Sequence, residues 1–458
     1  MEQSMTKLER RMFIATLLTG TFSMSISQSA LSTAYPAFMN TFGINSATVS
    51  WLTTGFMLVM TLMIPVSPWL LHNVPFKRLF QIIEATFAIG TLICVWAPSF
   101  SMLMIGRLME AMAVGIIFPS YQAVMLSITP KDDRGSAMGI AGLVMDSALA
   151  VGPIISGIIL TWSSWQSLFI FFFIVSVLVL LVSIRTIKSV MPIEPTRLDW
   201  QSVMLSASFP IMLYALTLFT KTDVTHVVAW GMLFLGMLMA AFFVKRELRL
   251  PKPMLQLRVF KYKNFTKSVF MTGFSYVGLI VTTILMPLYF QEYLHVSPLI
   301  SGLALVPAAV LLSFLNPLSG KMLDRYGARV VSSIGMSLIA VGFTCMAIFA
   351  GHMQLIIAML LAMMTEAGNA FVMMPSVTAG ANAIPEDWVS DGTAVTTTAR
   401  QLFGSAGVML ATTVLAQSQN VTHSLGSSFQ VTYGLFALIG IIGLGLALTL
   451  PNIKRKQA

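Results

Sequence analysis

Fourteen separate stretches of this chain stay mainly apolar for roughly 20 residues each, the length that crosses the ~30 Å hydrocarbon core as a helix. They lie near 12–36, 48–71, 79–98, 101–127, 136–161, 165–187, 200–219, 226–244, 265–291, 298–319, 328–350, 353–378, 391–417 and 429–451. A water-soluble surface needs about 25% charged residues, and this chain has 10% against 56% hydrophobic. The solvent for most of its surface is therefore a bilayer. The predicted fold class is an all-α membrane protein with 14 transmembrane helices.

Charge placement supports that count. If both termini are put inside, all but three of the 27 Lys and Arg residues fall in inside segments, the exceptions being Lys221, Arg107 and Arg400. Adding or removing one helix would scramble this asymmetry. One inside loop, around Ile384–Asp391, departs from it, with Glu386, Asp387 and Asp391 and no basic residue. The net charge of +10 is thus spread over short loops, unlike the single basic face of a nucleic-acid binder, so no nucleic-acid partner is expected. Cys94 and Cys345 lie in apolar runs and offer neither a disulfide framework nor a metal spacing. The first apolar run follows MEQSMTKLERRM, exceeds a signal-peptide core in length, and reads as a retained helix.

The six-span blocks on either side of residues 200–244 repeat one another. The fourth span carries Glu110-Ala111 and then Pro119; the twelfth carries Glu366-Ala367 and then Pro375, with the same interval. The helices that follow begin Gly135-Ser136-Ala137 and Gly392-Thr393-Ala394. Paired halves with proline-bearing helices characterise secondary transporters, whose sites lie between the repeats near the midplane.

These residues carry a family resemblance. Along nearly its whole length the chain resembles the fourteen-helix drug:proton antiporter branch of the major facilitator superfamily. Gly106-Arg107-Leu108-Met109-Glu110-Ala111 with Gly115 and Pro119 is similar to that family's fourth-helix arginine motif, with Glu110 where glutamine is usual. Gly152-Pro153 with Gly157 resembles the fifth-helix signature of antiporters. Gly320-Lys321-Met322-Leu323-Asp324-Arg325-Tyr326-Gly327-Ala328-Arg329 resembles the superfamily's gating loop in its second-half copy. Leu198-Asp199-Trp200 and Arg400-Gln401 also fit. The resemblance implies a major-facilitator-like architecture, with six-helix bundles over 1–190 and 251–458 and two inserted helices in 191–250. It implies a monomer in the cell membrane with both termini cytoplasmic, and export of small lipophilic molecules against protons. No cofactor is expected, because the proton gradient drives the cycle. Two positions depart from the pattern. The first-half gating loop has His72 near the place of the usual aspartate, and the first helix has Ser27 where many relatives carry an acid. Proton coupling must then use other carboxylates.

Intramembrane ionisable residues are functional suspects because a charge in hydrocarbon costs several kcal/mol without a partner or cavity. Asp146, Glu110 and Glu366 each fall near the middle of the ~30 Å core, and they are the candidates for proton coupling and for contact with a cationic substrate. Burial favours the neutral form of a carboxyl, so an acid here can load and release a proton. The structural alternatives are a packed, hydrogen-bonded Asp146 and a permanent pair between Glu110 and Arg107, one turn apart. Glu84, on a helix that is peripheral in the family fold, is read as snorkelling or pairing locally. Met109, Met112, Phe371 and Met374 are candidates for an adaptable pocket lining. Arg107, Gly152, Pro153, Gly157, Asp324, Arg325 and Arg400 are read as structural or gating residues. The small residues Ala148, Gly152, Ser156 and Gly157 would admit a close neighbour helix.

Other classes fit less well. The chain has no Gly-x-x-x-x-Gly-Lys-Ser/Thr loop for nucleotide-driven pumping. A membrane-embedded enzyme would need a metal cluster or a nucleophile–base pair, and a channel would need a continuous polar lining. Export of an endogenous metabolite is the nearest alternative within the transporter class.

Overall fold

The computed structural model describes residues 6–219 and 226–451. Its long helices are α1 (Lys7–Ala30), α2 (Trp51–Asn73), α3 (Phe76–Val95), α4 (Phe100–Ser127), α5 (Arg134–Trp162), α6 (Trp165–Thr186) and α7 (Trp200–Leu218). They continue as α8 (His226–Arg249), α9 (Lys263–Leu288), α10 (Pro298–Tyr326), α11 (Ala328–Phe349), α12 (Leu355–Asn382), α13 (Val389–Thr422) and α14 (Leu425–Leu448). Each predicted span coincides with one of these helices. Among the described residues there is no strand. Lys221 and the basic cluster Lys454, Arg455 and Lys456 lie outside the described residues.

Among the described residues, twelve helices are long and apolar enough to cross a bilayer by length and hydropathy. The chain is a multi-pass membrane protein. The remaining two, α1 and α13, have 24 and 34 residues, ample length, but more polar composition. α1 opens with Lys7, Glu9, Arg10 and Arg11, while α13 holds Asp391, Arg400 and the buried threonines Thr393, Thr396, Thr397 and Thr398. Thr393, Thr396 and Thr397 bond back to their own helix, each at 2.8 Å to the carbonyl of Ser390, Gly392 and Thr393 respectively, so an apolar environment leaves these three satisfied.

Local chemistry sets the helix ends. Thr6 and Glu9 form a reciprocal capping box at the start of α1, with bonds of 3.2 and 2.9 Å. Ser99, Ser297 and Ser424 cap α4, α10 and α14. Gly327, at φ 82°, makes the turn from α10 to α11, where an L side chain would be strained.

α1 packs on α5 and α6, α3 on α4 and α6, and α2 on α4; likewise α9 packs on α12 and α13, α10 on α12, and α11 on α12 and α14. The two groups meet along α5–α10 and along α13 against α2 and α4. α7 packs on its partner α8 and also on both α2 and α13, so it lies against the second of these seams. The first seam, α5–α10, has no such cover from α7 or α8 among the principal helix contacts.

Candidate functional site

The α5–α10 seam is tight at the end of the bundle that carries the basic loops. A Cβ on Gly135 would collide with Asp324 Oδ1, and one on Gly320 with the Gly135 carbonyl. A Cβ on Gly139 would sit 2.5 Å from the Asn316 carbonyl, and one on Gly142 would sit 2.9 Å from both Asn316 and Met374. Glycine is required at Gly135, Gly139 and Gly320 because backbone meets backbone, while at Gly142 a Cβ would press on the Asn316 and Met374 side chains.

Asp324 then latches the seam. Its carboxylate accepts from the Gly135 and Ser136 amides at 2.8 and 2.7 Å and from Ser136 Oγ at 2.6 Å. A negative group on the free amides of a helix N-terminus is a favourable placement. Arg325, its neighbour in the sequence, is exposed and lies over the Tyr326 ring at 5.2 Å.

A second latch explains the acidic loop. Arg134, buried at the start of α5, donates to Glu386 at 2.7 Å, to Asn382 at 2.8 Å and to the Leu126 carbonyl at 2.8 Å. Lys131 adds a bond of 3.0 Å to Glu386. The cations that balance this loop therefore come from the other half of the chain. On the other seam His72 Nε2 lies 3.0 Å from Ser390 Oγ, just inside the start of α13. His72 thus stands to α13 as Asp324 stands to α5, but contributes no fixed negative charge. Thr393 Oγ donates to the Pro119 carbonyl at 3.2 Å on the same seam.

The segments that flank α7 and α8 join this end. The Glu194 amide donates to the His72 carbonyl at 2.9 Å, and Thr196 N donates to Asn73 Oδ1 at 2.6 Å. Gln256 N donates to Asp391 at 2.6 Å and Leu255 N to Glu247 at 2.9 Å. Arg246 grips Asp199 through two bonds, 2.5 and 2.9 Å, which holds that carboxyl at about 2, well below the usual range. These segments and the loops border a polar cavity of about 860 Å³ that touches Trp69, His72, Lys131, Glu194, Trp388 and Asp391.

Above the latches, Asp146 on α5 faces the opposite half. Asn316 Nδ2 donates to its Oδ2 at 2.8 Å, and both side chains are buried. Arg400 on α13 lies within electrostatic range of Asp146 and sits 5.4 Å from the Tyr276 ring centre. Among the described residues, Arg400 Nε has no hydrogen-bond partner.

Beyond this pair, toward the end away from the basic loops, lies a second cavity of about 680 Å³. Its walls are largely apolar: Ile154, Leu279, Leu303, Leu305, Val306, Ala308, Ala309 and Leu312, with Thr33, Thr282, Thr283, Pro153 and Gly302. Among the described residues, Glu366 is its only ionisable lining residue. Asn369 donates to that carboxylate at 3.1 Å and is itself held by Ser275 at 2.8 Å. A hydrophobic chamber with one oriented acid has the general form of a small-molecule site.

The other sequence candidates fall elsewhere. Glu110 and Arg107 form a fully buried ion pair, with Arg107 also bonded to Ser27 Oγ at 3.3 Å and stacked 4.4 Å from the Phe56 ring centre. Glu110 does not border the apolar cavity. Met112 is 40% exposed on the face it shares with exposed Ile105, nearly opposite Arg107 around the helix, and Met109 is half-buried against Gly90 of α3. Phe371 packs with Leu323 and Val331 in the core of the second half, and Met374 lies at Gly142 in the tight part of the seam. Gly152 makes the expected close approach, since a Cβ there would collide with Ser29 Oγ, and Pro153 borders the cavity. Gly157 does not; a Cβ there would meet nothing within 4 Å. Glu84 pairs locally, accepting from Ser176 Oγ at 2.8 Å, and is fully buried instead of reaching the interface. Asn316 and the threonines Thr282 and Thr283 were legible as polar residues in apolar runs, but nothing in their spacing singled them out.

Two halves joined by latched seams around an intramembrane acid define a transporter of small molecules. The comparisons specify it further: the profile of the Major Facilitator Superfamily matches residues 17–408, and the chain belongs to that family. The MFS-type transporter YcnB of Bacillus subtilis is 32% identical over 453 residues, covering 97% of this chain and 96% of the relative. The lincomycin resistance protein LmrB of Listeria monocytogenes is 33% identical over 418 residues, covering 89% of this chain and 86% of the relative. Among solved structures, the proton:xylose symporter XylE superposes with a TM-score of 0.70 at 12% identity, over 97% of this chain and 96% of its own. That likeness concerns the fold.

Proposed function

We propose that this chain is a proton-coupled exporter of lipophilic, cationic drugs or dyes, in the fourteen-helix drug:proton antiporter branch of its family. The observation that carries this reading is the pair of buried acids on one route. Asp146 is bonded across the seam between the halves, and Glu366 borders the apolar chamber above it. Relatives named for lincomycin resistance support a drug as cargo. With the basic loops in the cytoplasm, as the positive-inside rule orders them, both termini are cytoplasmic and α1 and α13 complete fourteen spans.

The conformation is then closed to the cytoplasm by the Asp324 and Arg134 latches, with its chamber on the outer side. A proton arriving from outside neutralises Glu366 and weakens its hold on a cation, which leaves. Protonation of Asp146 changes its bond with Asn316 from acceptance by a carboxylate to a neutral contact, and so biases the seam toward opening inward. Loss of the protons to the cytoplasm restores the charged site. Glu110, held by Arg107 away from the chamber, serves as a structural partner in this scheme.

The test uses inverted membrane vesicles with a pH-sensitive dye inside and an imposed pH gradient. Addition of ethidium should trigger proton movement in the wild type and not in Asp146→Asn. Proton movement that survives intact in the mutant would remove Asp146 from the proton path. No movement with any cation would refute cationic-drug antiport.

A further inference from the structure

The polar cavity of about 860 Å³ at the end with the basic loops is walled by three parts of the chain. Trp69 and Lys131 come from the first half, Trp388 and Asp391 from the second, and Glu194 and Lys252 from the segments flanking α7 and α8. Its volume suits a small organic molecule, and Lys131 and Lys252, 57% and 65% exposed, give it an aqueous mouth. Its charges do not balance. Glu386 is taken up by Lys131 and Arg134, and Glu194 has Lys252 at 4.0 Å. Among the described residues neither Asp387 nor Asp391 forms an ion pair, although Asp391 is only 4% exposed. Both belong to the loop that departs from the charge pattern of the sequence, so Arg134 answers only part of that anomaly. The cavity also has two large aromatic walls. Trp69 is fixed by its Nε1, which donates to the Thr196 carbonyl at 3.2 Å, and Trp388 packs edge-on to Tyr262 with ring centres 6.1 Å apart. Aromatic faces beside unpaired carboxylates favour an organic cation, since the ring attracts the charge and its apolar surface takes the methylene groups.

We propose that this cavity binds a linear organic polycation, an alkyl diamine or polyamine, at a site separate from the chamber at Glu366. Ammonium groups sit at Asp387 and Asp391, and the methylene chain lies along Trp69 and Trp388. Because the walls belong to both halves, the site is complete only while the seam is closed at this end. A ligand shifts an equilibrium by its difference in affinity for the two states, so occupancy favours the closed form. The bound polycation is thus a brake on opening and is not carried across, which makes the site independent of what the transporter exports.

Equilibrium dialysis of radiolabelled spermidine against the purified protein in dodecylmaltoside tests the site without requiring transport. Binding should saturate, and Asp387→Asn and Trp388→Ala should each weaken it about tenfold. Glu366→Gln, in the other cavity, should leave the affinity within about twofold. Asp387 is exposed and makes no side-chain bond among the described residues, so its replacement spares the fold, as size-exclusion profiles would confirm. Three results would each overturn the site: no saturable binding, displacement of spermidine by an equal concentration of Mg²⁺, or binding lost in Glu366→Gln but intact in Asp387→Asn. The brake has its own readout. In Asp324→Asn, which loosens the seam, spin labels at Asp132 and Arg329 report the open fraction, and saturating spermidine should lower it about fivefold. A distance distribution that spermidine leaves unchanged would overturn the brake.

Discussion

The side-chain amide of Asn316 and the carboxylate of Asp146 meet at 2.8 Å across the seam that joins the two halves. Among the described residues neither side chain bonds within its own helix, so the bond reports directly on whether the seam is closed. Asp146→Asn should abolish substrate-triggered proton movement. The exchange Asp146→Asn/Asn316→Asp restores one acid and one amide at the same place, and should recover a substantial part of it. Vesicle assays with pH-sensitive dyes would measure both, and a swap no better than the single mutant would show that the acid is needed on α5 specifically.

The Asp324 latch offers a measurement of state instead of turnover. Replacing it with asparagine removes a charge from the α5 N-terminus and weakens three hydrogen bonds. A loss of about 1–2 kcal/mol is expected, which shifts the balance toward the form open at the basic end by roughly five- to thirtyfold. Distances between spin labels at Lys131 and Arg329 should reveal the added population. An unchanged distribution would mean that Arg134 and Glu386 hold the seam alone.

Two glycines on α5 should respond oppositely to the same change. At Gly139 a Cβ would lie 2.5 Å from backbone of α10, which cannot withdraw without opening the seam. Gly139→Ala should cost about 1–3 kcal/mol and lower the melting temperature in detergent. Gly157→Ala meets no neighbour and gains helix propensity, so its melting temperature should hold or rise slightly. Equal effects at both positions would contradict a seam that is tight at Gly139 and open at Gly157.

Arg107 and Glu110 test whether a membrane-buried pair is architecture. Removing one partner leaves an uncompensated charge, and Arg107→Met or Glu110→Met should each destabilise the protein by about 3–5 kcal/mol. The double substitution removes both charges and should recover much of that loss, as thermal melts would show. If Glu110→Gln alone abolished proton movement in well-folded protein, the glutamate would belong to the proton route after all.

Much of the fold was legible because a bilayer imposes a length on every crossing. The run predicted over 165–187 became α6 (Trp165–Thr186), and even the less apolar 391–417 sits inside α13. Position along a helix, however, gives depth without direction. Glu110 and Glu366 were matched in depth and sequence context, yet one turns to Arg107 and the other to the chamber. Methionine at 109 and 112 was compatible with a pocket, but which face of α4 meets lipid depends on where α2 and α3 pack. The acidic loop was a visible anomaly in the charge pattern, and its answer, Arg134, lies 252 residues away. Sequence distance of that order hides a contact that only the paired halves create.

The position of α7 constrains how the molecule can move. Because it touches α2 of one half and α13 of the other, these helices cannot part symmetrically at that edge unless they slide along a shared third body. The uncovered edge has no such bearing. The halves should therefore turn like a door, with its hinge line beside α7 and its free edge at α5–α10, rather than rock about a central axis.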